Sequence, residues 1–415
     1  MIESLPIESI ADPRTYADGV PHAVFDHLRE HQPVAWIEEP LLARGGVGGA
    51  RVRWKGSGYW ALTRHGDVAE ASRRPTVFSS AAKGAFLVDP RTRADLERDR
   101  QLLVNMDDPQ HVTLRKAINS AFSRKAVRHL HADIARHAHA VVARVLAAER
   151  FDAVADLAAE LPLLVLAELL GMPPADRRLL YDWSNRLVGF DDPAFGGGDI
   201  QTYRDTFAEA YAYALRLAAD RRRDPGDDIV SMLVHADIGG RPIREVEFCQ
   251  LWVLLVVAGN ETTRNLISGA LLELARQPAL LTEAADTARA VEELLRWVTP
   301  IMQFRRTATE DTELSGQLIR AGDKVVLYYI SANRDRRVFD APDRLRLARD
   351  PNPHLAFGVG PHFCLGAHLA RLEAVTLFDE LRPHLHRFEL LGPATRLASN
   401  FTNGITSLPA RFVAG

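Results

Sequence analysis

Helical periodicity is the property that most restricts the fold open to this chain. Apolar residues recur at three- and four-residue spacing over 22–31, 67–73, 109–121, 124–148, 154–170, 175–188, 200–222, 244–276, 278–298 and 366–384, the pattern of helices that bury one face. Runs with strand character are short, at 34–38, 59–63, 312–314, 317–319, 324–327 and 385–390, and they cluster towards the two ends of the chain. They do not alternate with the helices. This predicts a mainly α fold with small β-sheets rather than a parallel βαβ array. No internal repeat or long polar linker interrupts the pattern, so residues 1–415 are read as one helix-rich domain, β-rich over roughly 34–64 and 300–330. A chain of this length buries roughly three quarters of its unfolded surface and needs no disulfide staples.

Charge and cysteine content exclude several classes. Fifty-one basic against 54 acidic residues leave a net charge of −3, without the basic excess of a nucleic-acid binder. Only Lys55, Lys83, Lys116, Lys125 and Lys324 are lysines, an arginine bias read as that of a GC-rich coding genome. Two cysteines, Cys249 and Cys364, rule out a disulfide scaffold and fit a reducing cytoplasm. The first residues carry neither a basic stretch nor an apolar core of the signal-peptide kind. The longest apolar runs, Leu251–Gly259 and Leu161–Val165, fall well short of the ~20 residues that cross a bilayer. A cytoplasmic protein without membrane insertion is therefore expected.

Two loops stand apart. Ala43–Gly58 holds six glycines and is expected to bridge two strands. Gly189–Ile200 carries a triple glycine between two helices, and is either a plain connector or a hinge that lets those helices open over a pocket. The common catalytic motifs are missing: there is no GxxxxGK[ST], HExxH or GxSxG, and GVGPHF at 358–363 lacks the third glycine of a dinucleotide-binding turn. His362, Cys364 and His368 lack the paired spacing of a structural zinc site.

The segment Phe357-Gly-Val-Gly-Pro-His-Phe-Cys-Leu-Gly366 carries more information. A lone cysteine is most often a small buried core residue. Here three glycines within nine residues strip side chains from the loop, and a helical run begins at Gly366. A helix N-terminus stabilises a thiolate, so the Cys364 pKa is expected to be lowered. A thiolate among amide donors is also what an iron ligand requires, and glycine lets a flat macrocycle approach the backbone. The string resembles the haem-binding loop FGxGxHxCxG of the cytochrome P450 family at every fixed position.

That resemblance implies a helix-rich, triangular-prism fold and haem b, iron protoporphyrin IX with Cys364 as its axial thiolate. Phe357 would pack near the sulfur, His362 would reach a propionate, and Gly366 would leave room for the ring. Three further segments agree in order. Ala258-Gly-Asn-Glu261-Thr262-Thr263 is similar to the family's oxygen-activation motif, which makes Glu261 the acid and Thr262 the hydroxyl, with Thr263 in support. A helix-interior glycine here invites either close helix packing or a local distortion beside bound oxygen. Glu293 and Arg296, three residues apart on one helix face, would be the family's buried structural pair. His111 and Arg115, four apart, would meet the propionates, as would Arg306, with Arg305 as the competing choice. Arginine suits this task because it clamps a carboxylate with two parallel bonds.

The likeness spans about Tyr16 to Phe412 and is weakest over Ala43–Gly58 and Ser79–Leu103. It implies a monooxygenase that inserts one atom of O2 into a C–H bond. By family placement the substrate pocket would draw on Phe86, Leu87, Val88, Leu187, Val188, Phe190, Val257, Ala258, Ile301, Met302, Phe304, Phe401 and Thr402. Their apolar character points to an apolar small molecule of steroid, terpenoid or fatty acyl type. The chain ends three residues after Phe412 with no flavin or Cys-rich cluster following. A separate ferredoxin, of [2Fe–2S] type, and its reductase are therefore expected, acting on a monomer. Arg64, Arg73, Arg74, Lys116 and Arg371 are either docking cations for that partner or scattered solvated charge. The rival readings are a haem-thiolate protein that uses peroxide or rearranges its substrate, and a haem-binding sensor or carrier. Glu261 and Thr262 argue for O2 use.

Overall fold

A computed structural model describes residues 6–45, 51–90, 92–282 and 284–413. Its centre is the helix Glu245–Arg276, with Phe248, Trp252, Ile267, Ala270 and Leu271 fully buried. The start of this helix is set locally. The Glu247 carboxylate accepts from the Arg244 backbone N–H at 3.0 Å and from the guanidinium groups of Arg241 and Arg244 at 2.6–2.8 Å, satisfying an end donor and favouring the helix dipole. Helices Glu160–Leu169, Arg177–Val188, Ile200–Arg223, Thr287–Val298 and Ala367–Leu381 pack around it.

The strands from both ends of the chain meet in one five-stranded sheet. Its order is Val34–Ile37, Tyr59–Leu62, Lys324–Tyr328, Gln303–Ala308 and Phe78–Ser79. Only the pair Tyr59–Leu62 with Lys324–Tyr328 is parallel. A smaller sheet joins Phe388–Leu390, Pro409–Phe412 and Phe151–Asp152. The mainly α fold with small sheets is as expected. Among the described residues no helix is long and apolar enough to cross a membrane.

Several boundaries differ from the sequence expectation for identifiable reasons. The run 124–148 divides into Arg124–His129 and His131–Ala147, because the Leu130 N–H turns back to the Val127 carbonyl. The run 278–298 divides because the Asp286 side chain accepts from the amides of Ala288 and Arg289 and starts a new helix at Thr287. The strand expected at 385–390 begins at Phe388, since Arg382–Arg387 coil as a 3₁₀ turn carrying Pro383. Strands Phe78–Ser79, Phe151–Asp152, Thr395–Arg396 and Ile405–Ser407 are too short to leave a periodic signal. The expected bridge at Ala43–Gly58 is a hairpin of Leu42–Gly45 and Arg51–Trp54, with 46–50 outside the described residues. The Gly189–Ile200 loop is pinned: Gly45 N–H donates to the Gly198 carbonyl at 2.8 Å, and Ala398 N–H donates to Asp192 Oδ2 at 2.9 Å.

Candidate active site

The Cys364 loop is shaped by its glycines. Gly358 and Gly360 have φ of +67° and +81°, the left-handed region that disfavours side chains. A Cβ on Gly360 would also sit 2.5 Å from the Ser72 carbonyl oxygen, so the loop lies directly on helix His65–Arg73. The Cys364 N–H donates to the Phe357 carbonyl at 2.9 Å. Cys364 stands two residues before Gly366, the N-cap of Ala367–Leu381, and the Gly366 amide hydrogen-bonds its sulfur. Burial nevertheless pushes the thiol pKa up, and that amide with Arg115 and Arg371 only partly offsets it. The expected lowering is therefore corrected: desolvation of the anion outweighs two cations and one amide.

Cys364 opens into a cavity of about 290 Å³ that runs along the long helix. Of the expected site residues, Phe86, His111, Arg115, Val188, Val257, Ala258, Glu261, Thr262, Ile301, Phe304, Arg306, Phe357, His362, Cys364, Gly366, Phe401 and Thr402 line it. Leu87, Val88, Leu187, Phe190 and Met302 do not line it. Each of the five is directed elsewhere. Leu187 next to Val188 turns to the main core. Met302 next to Ile301 is fully buried beneath the sheet, where Leu87 packs as well. Val88 is exposed, and Phe190 stacks edge-on against Tyr203 at 5.6 Å. The cavity is closed at one side by Phe86, Phe304 and Phe401, whose ring centroids are 5.4–6.2 Å apart.

The cavity is also lined by a group of basic side chains. His111 and His362 have ring centroids 4.3 Å apart, and Arg115 and Arg306 line the same region. Both His111 nitrogens are buried without a well-formed hydrogen bond, although Asp108 Oδ1 lies 3.4 Å from Nδ1. Burial, then Arg306, His111 and Arg115, push the His362 pKa down to about 2. Among the described residues neither Arg115 nor Arg306 has a carboxylate in salt-bridge range, their side chains donating to the Phe363 and Arg305 carbonyls, and with the two imidazoles they fit the two carboxylates of a haem. The choice between the two arginines is resolved by strand alternation. Arg306 faces the cavity, whereas the Arg305 guanidinium donates to Asp89 Oδ1 at 2.9 Å.

On the long helix, Thr262 Oγ1 donates to the Ala258 carbonyl at 2.8 Å. The Glu261 carboxylate is held by the Arg264 guanidinium and by Asn265 Nδ2 at 3.1 Å, and Arg264 in turn donates to Asn185 Oδ1 at 2.7 Å. The helix runs unbroken through Gly259, where an added Cβ would meet Leu166 at 3.1 Å. Of the two readings of this glycine, close helix packing is the one observed. Glu293 and Arg296 are fully buried and joined by two bonds of 2.7 and 2.8 Å. Arg349 and the Arg346 amide also donate to Glu293.

Some lining residues were missed. Leu103 and Val104 fall at the edge of the segment with least family likeness, and Tyr329 sits at a strand-to-helix junction. Glu373 was legible in principle, since Gly366, Leu369, Ala370 and Glu373 share one face of a 3.6-residue helix and all line the cavity. Burial pushes the Glu373 pKa up to about 8, against a hydrogen bond from Thr263.

Residues 287–412 match the family model described as Cytochrome P450. The steroid C26-monooxygenase of Rhodococcus jostii is 39% identical over 399 residues, covering 95% of this chain and 82% of that protein. The chain belongs to the cytochrome P450 family. The methyl-branched lipid omega-hydroxylase of Mycobacterium bovis is 40% identical to this P450 over 408 residues, with 94% and 91% of the two chains covered. Among solved structures, the Mycobacterium marinum cytochrome P450 CYP268A2 in complex with pseudoionone superposes with a TM-score of 0.85 at 38% identity, covering 94% of each chain. The Bacillus megaterium protein CYP109E1 in complex with testosterone gives 0.79 at 30%, covering 95% of this chain and 100% of that one. This P450 is a monooxygenase of apolar substrates, and its family implies a haem-thiolate cofactor.

Proposed function

We propose that this P450 hydroxylates a steroid or methyl-branched lipid in the cavity above Cys364, as one cytoplasmic haem domain spanning residues 1–415. The observation that carries this reading is the convergence of a glycine-framed cysteine, a helix threonine and a cluster of two arginines and two histidines on one apolar cavity. The names of the two relatives, one acting on a steroid and one on a methyl-branched lipid, support the substrate class.

When bound, haem b supplies the activation of O2 that places one oxygen atom in a C–H bond while the other leaves as water. Cys364 Sγ would hold the iron, since metal binding removes the thiol proton that burial otherwise retains. The Gly366 amide would temper the sulfur's charge. Arg115, Arg306, His111 and His362 would orient the two carboxylates, and Phe357 would shield the sulfur. Thr262 lines the cavity and donates its hydroxyl proton to the Ala258 carbonyl. It can therefore accept a hydrogen bond from an incoming acid, and it passes a proton on when its own O–H turns from that carbonyl into the cavity. Glu261 is the acid. Its carboxylate must exchange a bond to Arg264 or Asn265 for water before it serves Thr262. Phe86, Phe304 and Phe401 hold apolar substrate and exclude water. Buried Glu293 and Arg296 support the fold behind the sulfur.

Electrons would come from a separate [2Fe–2S] ferredoxin and its reductase. Arg74 and Arg371 have internal carboxylate partners, Glu70 and Glu292, and half-buried Arg64 donates to the Arg29 carbonyl at 2.9 Å, which leaves exposed Arg73 and Lys116 as the better docking cations.

The test is spectroscopic. Reduced protein under carbon monoxide is expected to show the far-shifted absorption of sulfur ligation. Titration with steroids, methyl-branched fatty acids, terpenes and aromatic acids is expected to give a low- to high-spin shift with the first two. Iron held through nitrogen, or a shift with aromatic acids alone, overturns the reading.

A further inference from the structure

A second buried charge cluster lies outside the site described so far. Lys324 and Arg305 stand on neighbouring antiparallel strands, where Lys324 pairs with Thr307 and Arg305 with Val326, so their side chains leave the same face of the sheet. Both are almost fully buried, with 2% and 1% of the side chain exposed. Lys324 Nζ donates to Glu39 Oε2 at 2.7 Å and to Asp89 Oδ2 at 2.8 Å. Arg305 Nη1 donates to the other Asp89 oxygen, Oδ1, at 2.9 Å. Ser57 adds its amide and hydroxyl to Asp89 Oδ2, each at 3.1 Å. One carboxylate thus bridges two buried cations, and two anions balance two cations.

The same two residues also fasten the backbone that leads to Asp89. The Arg305 N–H donates to the Ala85 carbonyl at 2.8 Å, Lys324 Nζ to that of Leu87 at 3.1 Å, and Arg305 Nη1 to that of Val88 at 3.4 Å. Within this segment Phe86 turns into the cavity, where its ring meets Phe304 and Phe401. Without Asp89 the wall would rest on the aromatic contacts and on bonds from Arg305 and Lys324 to backbone carbonyls, and two buried cations would share one carboxylate, which is costly.

We propose that Asp89 is a positioning residue for the pocket: by bridging Lys324 and Arg305 it holds Phe86–Val88 in place and fixes the Phe86 ring as a wall that substrate must fit. The inference rests on the reading that this cavity takes substrate. Lifting the segment to admit a larger molecule requires drawing Asp89 away from both cations, so the ion pairs set how readily that wall yields.

The experiment uses the haem-loaded full chain and its Asp89→Asn variant, which keeps the shape and removes the charge. Imidazole and 4-phenylimidazole serve as probes, the second being large enough to need the wall. Asp89→Asn is expected to keep the carbon monoxide band and the affinity for imidazole. Its affinity for 4-phenylimidazole should fall roughly tenfold, and chymotryptic cleavage after Phe86 or Leu87 should rise by at least that factor, as for loss of a charge-assisted bond. Arg305→Lys keeps the charge and gives up the bond to the Val88 carbonyl; it should shift both readouts the same way by a smaller factor, and it carries the test should Asp89→Asn not fold. Unchanged cleavage in either folded variant, or equal weakening of both probes, overturns the inference. A wild-type protein without the sulfur-ligation band overturns the functional reading instead, while the cleavage comparison still decides the latch.

Discussion

At the residue scale, chemistry and geometry divide the work at this site differently from what spacing alone suggests. Cys364 lies beside a helix start, yet burial pushes its thiol pKa up. Cys364→Ser is therefore expected to abolish the sulfur-ligation band while the helical signal in circular dichroism is kept. Thr262 is held by a single bond to the Ala258 carbonyl, which leaves it able to accept a proton donor. Thr262→Ala should lower product formed per electron pair by roughly tenfold or more, with peroxide appearing instead. Unchanged coupling in that variant would remove Thr262 from proton delivery. Both residues were singled out by their motifs, and both line the cavity. The lock on Glu261 by Arg264, itself tied to Asn185 on another helix, was not, because that tie is made 79 residues away.

At the scale of elements, local caps set where helices begin, and buried ion pairs set how they are fixed. Glu247 opens the long helix. Burial acts to raise its pKa, but Arg241, Arg244 and the Arg244 amide hold it down at about 2. A carboxyl depressed in the folded state stabilises the protein above its unfolded value, near 4.5, and that contribution is lost as pH falls towards 2. Wild-type protein should thus lose more stability than Glu247→Gln between those pH values, and at neutral pH the variant should be less stable by about 1–3 kcal/mol in denaturant unfolding. Glu293 carries a larger burden, since Arg296 and Arg349 are both buried against it. Removing its charge in Glu293→Gln leaves two guanidinium groups under-neutralised and should cost about 3–5 kcal/mol. A loss below about 1 kcal/mol on the same assay would mean that water reaches the pair. Helix Thr287–Val298 was expected from periodicity, but full burial of a charged pair on it is a tertiary fact.

At the scale of the molecule, the sheet pairs Trp60 with Val325 and Phe78 with Ala308, strands far apart in the chain, and delivers Phe304 and Arg306 to the cavity from one strand. Phe401 arrives through the bond from Met302 N–H to its carbonyl, and the bridge of Ile301 with Thr402 secures it. The cluster of His111, Arg115, Arg306 and His362 brings two arginines to the cavity with no carboxylate in salt-bridge range of either among the described residues. Haem removal should therefore lower the melting temperature, and added haem should restore it in proportion to the logarithm of its free concentration. A melting temperature indifferent to haem would contradict the assignment of that cluster.

Sequence by itself determined the elements and the chemistry. Periodicity located most helices, and the motif around Cys364 singled out a loop that lines the cavity, because such patterns depend on neighbours within one or two turns. What only the tertiary structure decided depends on residues brought together from far apart. Arg306 and not Arg305 reaches the cavity, Gly259 makes room for Leu166, and Asp89 bridges two buried cations. Each of these follows from which face of an element is buried against which partner, and burial is a property of the assembled fold rather than of any stretch of chain.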